Sequence, residues 1–185
     1  LDEVDDRGNA VVERYNGSGA SVAGLNIEGK AVFSARSQVQ AGLTWQRSRY
    51  RKPEYWSENP DVAPVTRMFR TPDLYGYVTF NYDITRKLRA SVSGTYTGGM
   101  LVQHMEGSGT PVDCTVNTPD FFDAALKLSY EFNVFHNVCI DVSAAVMNIF
   151  NSYQKDFDSG YMRDSGYMYG PSLPRSLMAS VKLHI

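Results

Sequence analysis

Residues 121–132, FFDAALKLSYEF, alternate between apolar and polar side chains. Phe122, Leu126 and Leu128 fall on one side of an extended chain, whereas Asp123 and Lys127 fall on the other. This period of two is typical of a β-strand, in which successive side chains point to opposite faces. An apolar face of this kind must contact either a protein core or the lipid of a membrane, and in the second case the charges face a wet lumen.

Six further segments alternate in the same way, and together with 121–132 they predict seven strands. Their ranges are 23–33, 39–45, 74–82, 88–96, 138–146 and 177–185. Most of these strands carry about nine to eleven alternating residues, which is enough to cross a bilayer at the usual tilt. Strands of soluble sandwiches are commonly shorter, at about five or six residues.

The connections between these strands are alternately short and long. The short breaks are SARSQ, DITRK and NVFHN, and the long stretches are 46–73, 97–120 and 147–176. Outer-membrane barrels have this pattern, with brief turns at one end and extended loops at the other. Soluble sandwiches do not require it.

Aromatic residues of the apolar faces lie near both ends of the predicted strands. Those next to long loops are Trp45, Tyr96 and Phe122, and those next to short turns are Phe33, Tyr82 and Phe132. Aliphatic residues lie between them. We therefore predict two aromatic girdles that border a lipid band.

Composition supports an all-β chain and excludes some classes of protein. The chain has 12 Tyr, 9 Phe and 15 Gly, and its net charge of -2 gives no basic footprint for nucleic acid. No apolar run of 18 residues exists, so no membrane-spanning helix is expected. The N-terminal residues do not resemble a signal peptide, so a mature or truncated chain is expected.

Several residues could form chemical sites, and each of them has a plainer interpretation. Cys114 and Cys139 are predicted free thiols, because the strand map separates them by about 25 to 30 Å across a spanning hairpin. The carboxylates of DFDSG, at 156–160, resemble part of a calcium loop, but a solvated acidic loop is expected. The histidines, at 104, 136 and 184, are expected to lie on the surface or in a lumen. No catalytic motif is visible, so we predict a non-enzyme without catalytic residues, bound metal or cofactor.

The segment MNIFNSYQ, at 147–154, follows an alternating strand and precedes the last long loop. It resembles the N-[LI]-F-[ND]-x-x-Y signature near the C-terminus of TonB-dependent outer-membrane receptors. The following residues, 156–185, are similar to the closing loop and last strand of such receptors in Bacteroidales. NGSGASVAGLNIEGKA and TRMFRTPDLYGYVTFNY also resemble receptor strands of that group.

This resemblance implies a bacterial outer-membrane receptor that takes up a scarce solute, such as an iron chelate (siderophore) or cobalamin. Receptors of this family have an N-terminal plug inside a barrel of 22 strands and are energised through TonB. Residues 1–185 would then be the C-terminal part of the barrel, an antiparallel up-and-down transmembrane segment of about seven strands. Its partners would be membrane lipid, the plug and remaining strands, TonB and a small-molecule or chelate substrate. The family usually ends in Phe or Trp rather than Ile185, so Ile185 is an uncertain natural end.

Substrate contacts are expected in the long loops, where aromatic rings and cationic donors suit aromatic or anionic chelates. The candidate residues are Tyr55, Trp56, Arg67, Arg70, Tyr161, Arg163 and Tyr167. The alternative is that the loop aromatics anchor the loops on one another.

Two other functions fit the alternation. A soluble β-sandwich or small barrel would act as an extracellular ligand-binding module with the aromatic residues as its core, and a passive porin would lack energised transport.

Seven strands of a large barrel would also form an open sheet with unpaired edges. We therefore expect missing neighbouring strands, an oligomer or a rearranged packing.

Overall fold

The computed structural model describes residues 3–4, 10–11, 17–135 and 138–184. These residues form strands, turns and irregular segments without a helix. In the described ranges there is accordingly no helix of the length and apolarity needed to cross a membrane. The all-β expectation is confirmed.

The described residues form twelve strands. In chain order they are β1 (Glu3–Val4), β2 (Ala10–Val11), β3 (Ala20–Ser34), β4 (Ser37–Glu54), β5 (Val65–Arg67), β6 (Leu74–Asp83), β7 (Leu88–Thr97), β8 (Leu101–His104), β9 (Cys114–Asn117), β10 (Phe121–Phe135), β11 (Val138–Met147) and β12 (Ser176–His184). The seven predicted strands correspond to β3, β4, β6, β7, β10, β11 and β12. The other five are short and were not predicted.

Strand β4 extends well beyond its predicted end at Trp45. It continues to Glu54 because β3 pairs with it as far as the Ala20–Tyr50 pair and β5 pairs with Glu54 through Val65. The backbone hydrogen bonds of this pairing do not depend on apolar side chains, so the polar sequence after Trp45 gave no sign of it. Strand β10 likewise extends to Phe135.

The long strands form one sheet in the order β12-β11-β10-β7-β6-β4-β3. Every neighbouring pair is antiparallel, so the sheet has an up-and-down topology. Within the described residues, β3 and β12 are open edges, as expected for a wall with missing neighbours. The predictions about His136 and Ile185 concern residues outside the described ranges.

The register aligns the apolar residues of neighbouring strands in rows across the sheet. One row contains Ala31, Val39, Phe80, Val92, Leu126, Val146 and Leu177. The adjacent row, which points the other way, includes Gln38, Asn81, Ser91 and Lys127. We call these surfaces the apolar face and the polar face.

The apolar face is exposed rather than packed. Leu177 and Val181 are 83% and 73% exposed, and Leu126 in the middle of the sheet is 38% exposed. In the described part of the chain, no second sheet covers this face. The soluble sandwich alternative needs such a sheet, because its apolar faces pack against each other.

Aromatic residues border the apolar face at both ends of the strands, as predicted. Phe122 pairs across the strands with Tyr96 near the long loops. Phe33 and Phe132 are exposed near the short turns. This arrangement matches the two aromatic girdles of a transmembrane barrel wall.

All three long connections leave the same end of the sheet. We call them loop one (55–73), loop two (98–120) and loop three (148–175). The opposite end has tight turns, such as 84–87, where the Thr85 hydroxyl accepts hydrogen bonds from the backbone of Lys87 and Leu88. Cys114 lies in loop two and Cys139 in β11, and both thiols are free as predicted.

Candidate functional site

Loops one and two are joined by backbone and side-chain hydrogen bonds. Phe69 forms a parallel bridge with Leu101, and the Arg70 amide donates to the Leu101 carbonyl at 2.8 Å. The Ser57 hydroxyl donates to Asp113 at 2.6 Å, and this bond holds the pKa of the Asp113 carboxyl below its usual range. The two loops therefore form one unit.

Arg70 connects loop one to loop three. Its backbone has a φ of 54°, a left-handed conformation that few non-glycine residues adopt. Its guanidinium donates to the carbonyl of Met168 at 2.7 Å and also to that of Gly166. A planar group with several donors can serve two carbonyls at once.

A buried contact between His104 and Asp158 joins loop two to loop three. The Nε2 atom of His104 lies 2.9 and 3.0 Å from the two carboxylate oxygens of Asp158. Their side chains are only 9% and 4% exposed. The His104 ring also stacks on Tyr167, with centroids 3.7 Å apart. The hydrogen bond from His104 holds the pKa of Asp158 below its usual range.

Loop three is folded around Asp156 and Gln154. The hydroxyls of Tyr167 and Tyr169 donate to the two oxygens of Asp156 at 3.0 and 2.6 Å. Burial is the larger cause, and the hydrogen bond to Asp156 the next largest, of a raised pKa in both tyrosines. The pKa of Tyr167 is raised to about 12, and that of Tyr169 is raised further. Gln154 is fully buried and bonds to the backbone of residues 167 and 169.

A small hydrophobic core lies between loops two and three. Met100, Val102 and Tyr167 are buried together, and Val116 and Tyr169 pack against them. The loops consequently form a compact assembly on top of the sheet, which we call the loop assembly.

The NIFN segment is a turn at the start of this assembly. Asn148 and Asn151 have φ values of 48° and 56°, which asparagine tolerates better than most residues. The side-chain amide of Asn148 donates to the backbone carbonyls of Ser152 and Leu173 at 3.1 and 2.9 Å. The asparagines therefore hold the first residues of loop three close to its last residues.

Phe150 of the same segment points to the girdle. Its ring lies 5.4 Å from that of Phe122, and it is 61% exposed. The motif thus connects the loop assembly with the apolar face.

Four of the seven predicted ligand residues hold the loops together. Arg70 and Tyr167 join loop three to the other loops, as described above. Arg67 donates to the Gly99 carbonyl at 2.7 Å, and Trp56 packs edge-on against Phe69 at 5.9 Å. Their contacts therefore fit the alternative in which these residues anchor the loops and do not bind a ligand.

The other three predicted residues are exposed. Tyr161 is 99% exposed, Tyr55 is 77% exposed, and Arg163 is also on the surface. Within the described ranges they make no side-chain hydrogen bond, ion pair or ring contact. The structure does not bring them into one defined pocket with the other four.

Two expectations about polar residues were wrong. His104 is buried rather than at a surface, because Asp158 and the Tyr167 ring enclose it. The expectation of a solvated acidic loop is wrong for Asp158, whose side chain is only 4% exposed and accepts from the Asp164 amide. Asp156 is exposed as expected, although it also accepts from the Tyr167 hydroxyl. His184 is exposed in β12, as expected. The described residues contain no group of three or more His, Cys, Asp or Glu that would hold a metal ion.

An open cleft of about 440 Å³ lies between the end of loop two and the beginning of loop three. Its lining includes Phe121, Tyr153, Lys155, Asp156 and Tyr169. The Lys155 ammonium lies 5.6 Å from the centroid of the Tyr153 ring. The carboxylate of Asp120 also lines the cleft, so its two acidic groups outnumber its one cation and its rings suit an aromatic group better than an anion. No pattern in the sequence indicates this cleft, because its walls come from separate loops.

Comparison with known proteins gave a match only at the level of structure. No protein-family model matches the chain, and no curated protein matches it by sequence. A similar solved structure is the ferric-catecholate import receptor Fiu of E. coli K12 in its closed form. It superimposes with a TM-score of 0.62 at 23% identity over 98% of this chain.

The chain spans 23% of the length of that receptor. An identity this low is evidence for the fold and not for a shared activity. The protein is therefore an all-β, up-and-down segment of a transmembrane β-barrel wall.

Proposed function

We propose that residues 1–185 are the C-terminal part of the barrel of a TonB-dependent receptor in a bacterial outer membrane. The receptor takes up a scarce solute, such as an iron chelate or cobalamin. Its plug, TonB and the remaining strands act with this segment, and the mechanism is binding followed by energised plug movement rather than chemistry. The narrower resemblance to Bacteroidales receptors stays a prediction.

The main support is the continuous apolar face of the sheet beneath an interlocked loop assembly. A row of seven apolar residues across seven strands, five of them exposed and two half-buried, suits lipid, whereas the opposite row suits water and a plug. The fold similarity to an import receptor is consistent with this segment being part of a barrel wall. The loop assembly gives this end of the wall a defined shape that a passive pore does not require.

The predicted ligand residues divide between two roles in this proposal. Tyr55, Tyr161 and Arg163 contact the solute, since their side chains are free of other described partners. The four buried or bonded residues keep the loops in place: Trp56, Arg67, Arg70 and Tyr167. An aromatic or anionic chelate fits the exposed rings and guanidinium.

Uptake by whole cells tests this function. The intact receptor is expressed in iron-starved cells that lack their own catecholate receptors, and entry of radioactive iron as a ferric catecholate is measured. Parallel cultures receive labelled cobalamin. We expect saturable uptake of one solute that stops when a protonophore or loss of TonB removes the energy source.

A variant series then locates the binding residues. Arg163→Ala should raise the concentration for half-maximal uptake several-fold, whereas Arg86→Ala in a short turn should not change it. Uptake that is linear with concentration and insensitive to TonB would indicate a passive pore. No uptake of either solute would refute the proposed substrate class.

A further inference from the structure

Strand β4 carries a column of arginines just beyond the end of the apolar face, on the side of the long loops. Leu43 and Trp45 are exposed on this face, and the same alternation continues through Arg47, Arg49 and Arg51. The pairing of β3 with β4 is in continuous register over this region, so the alternation of faces is unbroken up to Tyr50. These three residues form the arginine column.

Small residues beside the column leave its lower part open to the outside of the wall. On β3, Ala23 pairs with Arg47 and Ser21 pairs with Arg49. Arg47 and Arg51 are exposed, whereas the intervening Ser48 on the opposite face is 1% exposed. The column therefore faces the same surroundings as Trp45.

The column has more positive charge than its described neighbours balance. Asp73 lies 3.8 Å from Arg49 and 3.5 Å from Arg67, so one carboxylate is shared by two guanidinium groups. Arg47 and Arg51 make no side-chain hydrogen bond or ion pair with any described residue. An anion can bind here without displacing an existing partner.

The height of each arginine follows from strand geometry. With a rise of about 3.4 Å per residue and a tilt of about 40°, Arg47 lies about 5 Å above Trp45. Arg49 then lies about 10 Å above it and Arg51 about 16 Å. The polar headgroup layer is roughly 5 to 8 Å thick on each side of a bilayer. Arg47 is thus inside this layer, Arg49 lies just beyond it and reaches it with its side chain, and Arg51 lies outside it.

We propose that the arginine column binds the phosphate of an anionic lipid headgroup in the leaflet next to the long loops. The acyl chains of this lipid lie on the apolar face beside Leu43 and Trp45, and Arg47 makes the main contact. A guanidinium matches phosphate geometry through paired hydrogen bonds. The inference rests on the membrane placement in the proposed function and adds a lipid site to it.

Lipid titration of the intact receptor in neutral detergent tests this site. Binding is followed by native mass spectrometry with phosphatidylglycerol, phosphatidylcholine and inorganic phosphate as three separate probes. We expect phosphatidylglycerol to bind best and Arg47→Gln to weaken it about fivefold, the usual effect of one basic residue near an anionic surface. Arg51→Gln should weaken it less than twofold, and the control Arg86→Gln at the other end should not weaken it.

Three results would overturn the proposal. They are equal binding of the two lipids, an equal loss in Arg86→Gln and Arg47→Gln, and binding of inorganic phosphate as tight as that of phosphatidylglycerol. Uptake assays on the same variants keep the two proposals distinguishable, because Arg47→Gln should import solute normally. A receptor that binds the lipid but imports nothing would refute the transport proposal alone.

Discussion

At the scale of single residues, the pairing of His104 with Asp158 is the contact that most depends on tertiary structure. The two side chains are 54 positions apart and become buried together only when loops two and three meet. No spacing in the sequence could reveal this pair. The two asparagines of NIFN are different, because the motif itself marked a local turn and their left-handed conformations explain it.

Acid should open the loop assembly through Asp158. The hydrogen bond from His104 lowers the folded-state pKa of this carboxyl, so its stabilising effect is present above the ordinary Asp pKa of about 3.9. The effect is lost as pH falls through the lower folded value. We expect pepsin to cleave within 155–168 increasingly as pH falls from 4 to 2.

Two substitutions make this acid test specific. Asp158→Asn should be cleaved readily even at pH 4, because the ionised acceptor is gone. Asp61→Asn changes an exposed carboxylate in loop one and should behave as the wild type does. Equal cleavage of Asp158→Asn and wild type at pH 4 would mean that the His104 contact does not hold the loops.

At the scale of elements, alternation predicted the strands well and their ends poorly. In β10 the apolar side and the polar side are distinct in sequence, so 121–132 was assigned correctly. In the upper part of β4 both sides are polar, so the pattern stopped at Trp45 although the backbone pairing continued. The short strands β8 and β9 were also missed, because each has only four residues and they pair with each other inside loop two.

Adjacent positions of β10 should differ in how strongly an added charge destabilises the barrel. Leu126→Arg places a guanidinium in the middle of the apolar face and should destabilise the barrel by about 2 to 4 kcal/mol. Ala125→Arg changes the neighbouring position on the polar face and should cost much less. Denaturant unfolding of the intact receptor in lipid vesicles measures both, and equal destabilisation would contradict the assignment of the two faces.

At the scale of the whole molecule, the described residues form an open wall rather than a closed unit. The free edges β3 and β12 and the exposed apolar face are both consistent with a segment of a larger barrel in lipid. The sequence predicted this architecture because alternation recurs in seven segments along the chain. The loop assembly was not predicted, because it depends on contacts among three distant loops.

The most direct test of the lipid-facing assignment is a spin-label scan along β10. Single cysteines are placed at each position from 122 to 132 of the intact receptor in lipid vesicles, after Cys114 and Cys139 are replaced by serine. Collision with oxygen reports lipid, and collision with a water-soluble nickel chelate reports water. We predict high oxygen access at the even positions and high nickel access at the odd positions. Equal access at both sets, or the reverse pattern, would contradict a lipid-facing sheet.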